Sequence, residues 1–402
     1  MSAGTFATAA MRLVPVKFSG TRSGSGPVTL GQRNVLLWAA DQAIYGAVQC
    51  QALNVAPGRP LDDVTKAIGA LISRHESLRT LFTAGAPGEW AQQVTASGEL
   101  LVEVHEAGGR LDATQALVRQ RLSAPFALDR EWPVRAAVIT SGGAPARVLL
   151  ALTHVAADFA SLGIIARDFR RLAGNSTSRA PEPPALHPLD QARLEMSPMA
   201  RSRAEAAVRY WEATLRGTPQ CMLAVPGHPP AGSGSRMATL HSRAAALALA
   251  RIANRARASQ SVVILAAVAT LLGLRTVNDR CLITALCANR FAPASRDYVG
   301  TIAQDALIAA DLTAETFDGI IQATRTAALA AYYHSQYDAG SLWQMISRVS
   351  EDRGTEFHRD CVLNDLNGAA AQPRAGTPAA CLPRWRPPGT SSATRPPTTR
   401  PA

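Results

Sequence analysis

The chain has 402 residues, 47% of them hydrophobic and 18% charged, and carries a formal net charge of +11. That length can bury one large core or two moderate ones, and no apolar run is long enough to cross a bilayer, so a globular, cytoplasmic protein is expected. The charge does not point to nucleic acid: lysine occurs only at Lys17 and Lys66, and the arginines scatter through Ala- and Pro-rich sequence without helix-turn-helix or zinc-finger spacing.

The opening twenty residues lack the long apolar region of a signal peptide. Residues 14–18 read as a short strand, followed by a Gly/Ser turn over 20–26. Thr29 is a candidate N-cap for a helix whose apolar face is Val35, Leu36, Trp38 and Ala39. A second helix starts at Pro60-Leu61 with Asp62 and Asp63 at its positive end, burying Leu61, Val64, Ile68, Leu71 and Ile72. The Gly-Ala-Pro-Gly turn at 85–88 predicts hairpin strands over 79–84 and 90–95. A half-buried strand over 100–105, a helix over 112–122, and strands over 134–140 and 147–152 complete a mixed α/β layer. No glycine-rich phosphate loop or dinucleotide fingerprint interrupts it.

The last of these strands ends at Thr153-His154, passes through Ala-Ala-Asp-Phe, and restarts as a helix with Leu162, Ile165, Phe169 and Leu172 at helical spacing. A histidine where a buried strand meets a loop is well placed for proton chemistry, because rigid backbone holds it and its ordinary pKa lies near neutrality. Asp158, four residues on, is placed to order the turn or pair with a cation.

Beyond a Pro/Ser-rich linker over 175–189, helices are expected over 199–216, 244–257, 261–274 and 314–332, with strands over 280–286 and 304–310. A Pro/Gly-rich loop is expected over 218–234. The six cysteines show neither C-x-x-C nor histidine at zinc-like spacing and read as thiols, most of them buried, with no metal implied. His105, His187, His228 and His241 are expected at the surface, and His75, Glu76 and His334 as structural residues.

Several segments, in order, resemble the condensation domain of nonribosomal peptide synthetases. LGQRNVLLW (30–38) resembles its opening A-Q-x-R-L-W segment, and RHESLRTLF (74–82) its R-H-E-x-L-R-T-x-F. PFALDREWPVRA (125–136) resembles P-F-D-L…P-x-R-A, and THVAADFAS (153–161) the active-site H-H-x-x-x-D-G. RYWEATL (209–215), the apolar helix over 261–276, NRFAPASRDYVGTIAQDALI (289–308) and RDCVLNDL (359–366) extend the likeness to about Asn367.

The resemblance implies an α/β fold of two chloramphenicol acetyltransferase-like lobes, each a mixed sheet packed with helices, with a tunnel between them. The expected boundaries are 1–174 for the first lobe, 175–189 for the linker, 190–368 for the second lobe and 369–402 for a disordered basic tail. It implies an acyltransferase that joins a carrier-bound acyl or peptidyl thioester to an acceptor amine, forming an amide (or ester) in secondary metabolism. His154 takes the motif's second histidine, as base or positioning group, and Asp158 its aspartate, expected to pair with Arg74 in support of the site. Carrier proteins are the implied partners of a monomer, and no cofactor is bound, phosphopantetheine arriving with the substrate. A coenzyme A-dependent acyltransferase and a catalytically inactive docking domain are the rival readings.

Three departures from the pattern stand out. Thr153 replaces the motif's first histidine, and Phe159 replaces its glycine, which is expected to demand a different turn or narrow the substrate path. After Asn367 the sequence turns to Pro, Ala, Thr and Arg without strand or helix period. The family's closing elements are missing there, so an incomplete second lobe is expected, with a frameshift or premature end as the preferred explanation.

Overall fold

The computed structural model describes residues 11–41, 48–86, 88–174, 184–219, 238–357, 359 and 361–366. Strand β1 (Met11–Ser19) and the short β2 (Gly24–Pro27) lead into α1 (Leu30–Asp41), β3 (Val48–Asn54) and α2 (Leu61–Arg74). The hairpin β4 (Thr80–Ala84) and β5 (Trp90–Val94) is followed by β6 (Ser97–Glu106), α3 (Leu111–Leu122), β7 (Val134–Ser141), β8 (Ala144–Thr153) and α4 (Phe159–Leu172). These strands form two sheets. One is five-stranded in the order β1-β6-β7-β8-β3, parallel only between β6 and β7; the other is antiparallel, β2-β5-β4.

The burial of β7 and β8 follows from their alternation. Val134, Ala136, Val138, Val148, Leu150 and Leu152 face one way, into a core with Ile68, Leu71, Ile165 and Phe169 of α2 and α4. Ala137, Ile139, Leu149 and Ala151 face the other way, against Val118 and Leu122 of α3. Covered on both sides, the two strands read as nearly continuous aliphatic runs. By contrast β1 and β6 turn Leu13 and Leu101 outward, both half exposed, while Val16, Phe18, Val102 and Val104 face the core.

The second lobe holds α5 (Pro188–Glu195), α6 (Pro198–Arg216), α7 (Arg243–Ala256), α8 (Gln260–Thr276), β9 (Arg280–Cys287), β10 (Gln304–Asp311), α9 (Phe317–Tyr333), α10 (Ala339–Arg353) and β11 (Val362–Leu363). Its sheet, β10-β9-β11, is mixed: β10 runs antiparallel to β9 and β11 parallel. Its core joins Trp211 and Leu215 of α6, Leu265 of α8, Ile283 and Ile308 of the sheet, and Met345 and Val349 of α10. Both lobes are therefore mixed sheets packed with helices.

Several sequence expectations change. The segment expected as a turn over 20–26 already pairs as β2, and α5 begins at Pro188, inside the expected linker. Residues 175–183 of that linker, most of the 218–234 loop, His228, Cys221, Cys381 and the tail beyond residue 366 lie outside the described residues. Strand β3 and helix α10 were not anticipated. His105 is half-buried with Nε2 2.8 Å from Glu103 Oε2, and half-buried His187 caps α5 reciprocally with Asp190, so neither is a free surface residue. His241 is exposed, and His334 stacks on Tyr210 with ring centroids 4.6 Å apart, a packing role. Among the described cysteines Cys281 and Cys287 are buried while Cys50 and Cys361 are half-buried. Among the described residues no single helix is long and apolar enough to cross a membrane.

The lobes meet through the segment between β9 and β10. Val299 of that segment is buried in the first lobe's core, while Tyr298 and Ile302 pack with Leu186.

Candidate active site

Strand β8 delivers His154 into a turn closed by the Ala156 and Ala157 N–H groups donating to the Thr153 carbonyl at 3.0 and 3.3 Å. Three carbonyls of that turn are each taken by a different part of the chain. The Gln49 amide of β3 donates to the Ala157 carbonyl at 3.1 Å, the Ser77 hydroxyl to Ala156, and the Thr301 hydroxyl from the second lobe to His154 itself. Buried carbonyls need such partners, and each bond contributes on the order of 1 kcal/mol. The turn is therefore pinned from three sides.

Asp158 closes the turn and caps α4. Its Oδ1 accepts from the Ser161 N–H at 3.0 Å and the Ser161 hydroxyl at 2.9 Å. Arg290 grips both carboxylate oxygens at 2.7 Å from the second lobe, with the Asp158 side chain 2% and the Arg290 side chain 10% exposed. This planar two-point pair is the strong form of a charge-assisted contact. Asn289, in the left-handed region at φ 54°, aims Arg290; its own amide donates to the Ile302 and Ser335 carbonyls at 3.0 and 3.2 Å. Gly300 completes the clasp, since a Cβ there would lie 2.4 Å from the Tyr298 hydroxyl.

Held in this way, His154 is half-buried, and its Nδ1 is buried with no hydrogen-bond partner among the described residues. A buried ring nitrogen without a partner is costly unless a ligand or proton acceptor completes it.

The expected pair between Arg74 and Asp158 is not the one the structure makes. Arg74 lies on Asp168, Nε to Oδ2 at 2.9 Å, while Asp158 belongs to Arg290. The reason is the rise of α4: Asp168 is ten residues beyond Asp158, about 15 Å along the helix, and the end of α2 meets α4 at that further level. Asp168 also receives His75 Nε2 at 3.1 Å and Arg167 Nε at 2.9 Å, and Arg167 reaches on to Asp297 at 2.6 Å. Burial works to raise the Asp168 carboxyl, but the bonds from His75, Arg167 and Arg74 outweigh it and hold the group well below the carboxylate range. Burial pushes the His75 imidazole down, with Asp168 opposing. Arg74 and His75 thus brace α2 against α4 some distance from His154.

Phe159 needs no special turn. It is the first residue of α4, in ordinary helical backbone, and its side chain is 44% exposed.

A family model described as Condensation domain matches residues 39–368. The chain belongs to this family. As a condensation domain it is 31% identical over 337 residues to CymA of Salinispora arenicola, described as a probable nonribosomal peptide synthetase, covering 76% of this chain and 4% of CymA. The chain thus spans a small fraction of that relative's length. The structure of SgcC5 from Streptomyces globisporus superposes with a TM-score of 0.63 at 19% identity, covering 84% of this chain and 80% of that one. The X-domain from teicoplanin biosynthesis, solved in complex with OxyB, gives 0.67 at 21% identity over 82% and 75%. At those identities the two structures speak to the fold alone.

Of the three residues the sequence singled out, His154 and Asp158 share one turn and Arg74 stands apart on α2. Sequence reasoning missed Arg290, Ser161 and Thr301 as parts of the site. Arg290 lies within the 289–308 segment that carried the family resemblance, but nothing in a single sequence joins it to a carboxylate 132 residues earlier.

Proposed function

We propose that the chain is a condensation-type acyltransferase that forms an amide from a carrier-bound acyl or peptidyl thioester and an acceptor amine (an ester where the acceptor is an alcohol), with His154 as the group that meets the reacting nucleophile. The observation that carries this is the unpartnered, buried Nδ1 of His154 in a turn where other elements hold the His154, Ala156 and Ala157 carbonyls and the Asp158 carboxylate. The thioester is already activated, so alignment, exclusion of water and the handling of one proton suffice. The amine nitrogen attacks the thioester carbon; the tetrahedral intermediate then expels the pantetheine sulfur, and the proton lost by nitrogen ends on that sulfur as a thiol. His154 serves as the proton's acceptor or as the partner of the intermediate. Asp158 and Arg290 position it and touch no substrate. Phosphopantetheine comes with the donor, and carrier proteins are the partners in this reading.

A second reading, docking without turnover, is favoured by Phe159, whose exposed ring follows Asp158 where the family pattern has glycine. Acyl transfer measured with carrier-bound substrates decides between them. Turnover that falls at least a hundredfold in His154→Ala supports the enzyme, in line with typical acid–base contributions. Turnover unchanged by that substitution rules His154 out, and its absence from the wild-type chain supports docking.

A further inference from the structure

The His154 turn is coupled to the first turn of α1 through Thr301. Thr301 donates its hydroxyl to the His154 carbonyl, and its own carbonyl accepts from the Thr29 hydroxyl at 3.3 Å. Gly31 sits against the same backbone so closely that a Cβ would lie 2.4 Å from the Thr301 carbonyl oxygen. A displacement of the start of α1 therefore has to be passed to Thr301.

What holds the start of α1 is divided between two helices. Thr29 and Gln32 cap it reciprocally, Thr29 N–H to Gln32 Oε1 at 2.8 Å and Gln32 N–H to Thr29 Oγ1 at 3.1 Å. That leaves the N–H of Leu30, one of the orphan donors of any helix start. It donates to Glu195 Oε2 of α5 at 2.7 Å, while Gln191 donates to the other oxygen at 2.7 Å. Burial raises the Glu195 carboxyl to about 7 against those two bonds, so this is a costly group for a single N–H. Beside it lies a cavity of about 840 Å³ bounded by α1, α5, α6 and α10, bordered by Glu195, Leu30 and Arg33. With the carboxyl removed, water from that cavity takes the Leu30 N–H, and the α1 turn loosens where it presses on Thr301.

We propose that Glu195 is a positioning residue for His154, acting through the Leu30 N–H, the first turn of α1 and Thr301. The proposal rests on the reading of His154 given above for its kinetic consequences, but not for its geometry. The test uses the full chain with carrier-bound substrates and compares wild type, Glu195→Gln, Glu195→Ala, Thr301→Val and the double variant Glu195→Ala/Thr301→Val. An amide oxygen still accepts from Leu30, so Glu195→Gln keeps kcat within about threefold. Glu195→Ala lowers kcat roughly tenfold with KM little changed, within the range a small misplacement produces. Thr301→Val does the same, and the double variant is no worse than the poorer single, because both act along one path.

The His154 ring resonances, identified by their loss in His154→Ala, give a readout independent of turnover. They shift in Glu195→Ala and Thr301→Val and stay in place in Glu195→Gln. Unmoved resonances in Glu195→Ala, or wild-type kcat in that variant, overturn the proposal. Should Glu195→Ala not fold, an unmoved His154 signal in Thr301→Val does the same. Resonances shifted in Glu195→Ala and Thr301→Val, with no acyl transfer by the wild-type chain, uphold the positioning and overturn the function.

Discussion

Replacing Arg290 by methionine isolates what the clasp between the lobes contributes. The substitution keeps much of the apolar stem and removes the two 2.7 Å bonds to a carboxylate that is 2% exposed. Breaking a buried pair from one side costs about 3–5 kcal/mol, because the remaining charge stays out of water. One route limits the loss: the Ser161 N–H and hydroxyl still reach Asp158 Oδ1. The expected loss is therefore about 3–4 kcal/mol, and chemical denaturation at pH 7 measures it. Asp158→Asn leaves a guanidinium with 10% exposure and a path to solvent, so its cost is smaller. The double variant costs less than the two singles together, by at least about 1 kcal/mol, as expected of residues in contact. Arg290→Met within 1 kcal/mol of wild type, or additive with Asp158→Asn, would refute the idea that this pair holds the His154 turn.

Glu195, with its folded carboxyl near 7 against an ordinary 4.5, binds a proton in the folded chain that the unfolded chain has lost. Stability therefore falls as pH rises from 4.5 to about 7, by at most roughly 3 kcal/mol. Glu195→Gln removes that slope, and melting curves across the window that keep it assign the effect elsewhere. Asp168 has the opposite sign: its depressed carboxyl contributes stability that is present above 3.8 and lost as pH falls further. His75, also depressed, adds a loss as pH drops below 6.5, since the unfolded ring takes up a proton that the folded one does not. Asp168→Asn is expected to cost about 3–5 kcal/mol at pH 7 and to converge on wild type in acid, measured by denaturation at both pH values. Gly31→Ala places a Cβ 2.4 Å from the Thr301 carbonyl oxygen, and a backbone shift of this kind costs about 1–3 kcal/mol. A melting temperature equal to wild type in Gly31→Ala contradicts the close fit of α1 on the His154 turn.

Much of the first lobe was legible because its elements bury alternating or helical stripes: α2, the hairpin, β7, β8 and α4 all show their period. Strand β3 was legible too but went unread, since Val48, Cys50 and Ala52 alternate with Gln49 and Gln51 at the period of a half-buried strand. Helix α10 was legible in principle. Asp338 caps it through the Ser341 N–H at 2.8 Å, and Leu342, Met345, Ile346 and Val349 recur at helical spacing. The site was legible only where its residues lie close in sequence. His154 and Asp158 share one turn, whereas the arginine that pairs with Asp158 depends on how far along α4 each neighbouring element docks. A period along a helix says which face is buried and nothing about the level at which another chain segment meets it.

The same geometry explains why the departures at Thr153 and Phe159 are compatible with an ordered turn. Thr153 is 1% exposed and its hydroxyl has no partner among the described residues, so its side chain takes no part in holding the turn. The hold comes from Gln49, Ser77, Thr301 and Arg290. Phe159 lies outside that set, on a helical residue whose backbone any side chain accepts. Phe159→Gly should therefore leave the His154 turn in place and cost only the helix propensity of an end position, less than about 1 kcal/mol. If Phe159 blocks access to His154, the glycine variant turns over faster than wild type in the carrier-bound assay. If docking is the role of the exposed ring, turnover stays absent and binding of the partner weakens instead.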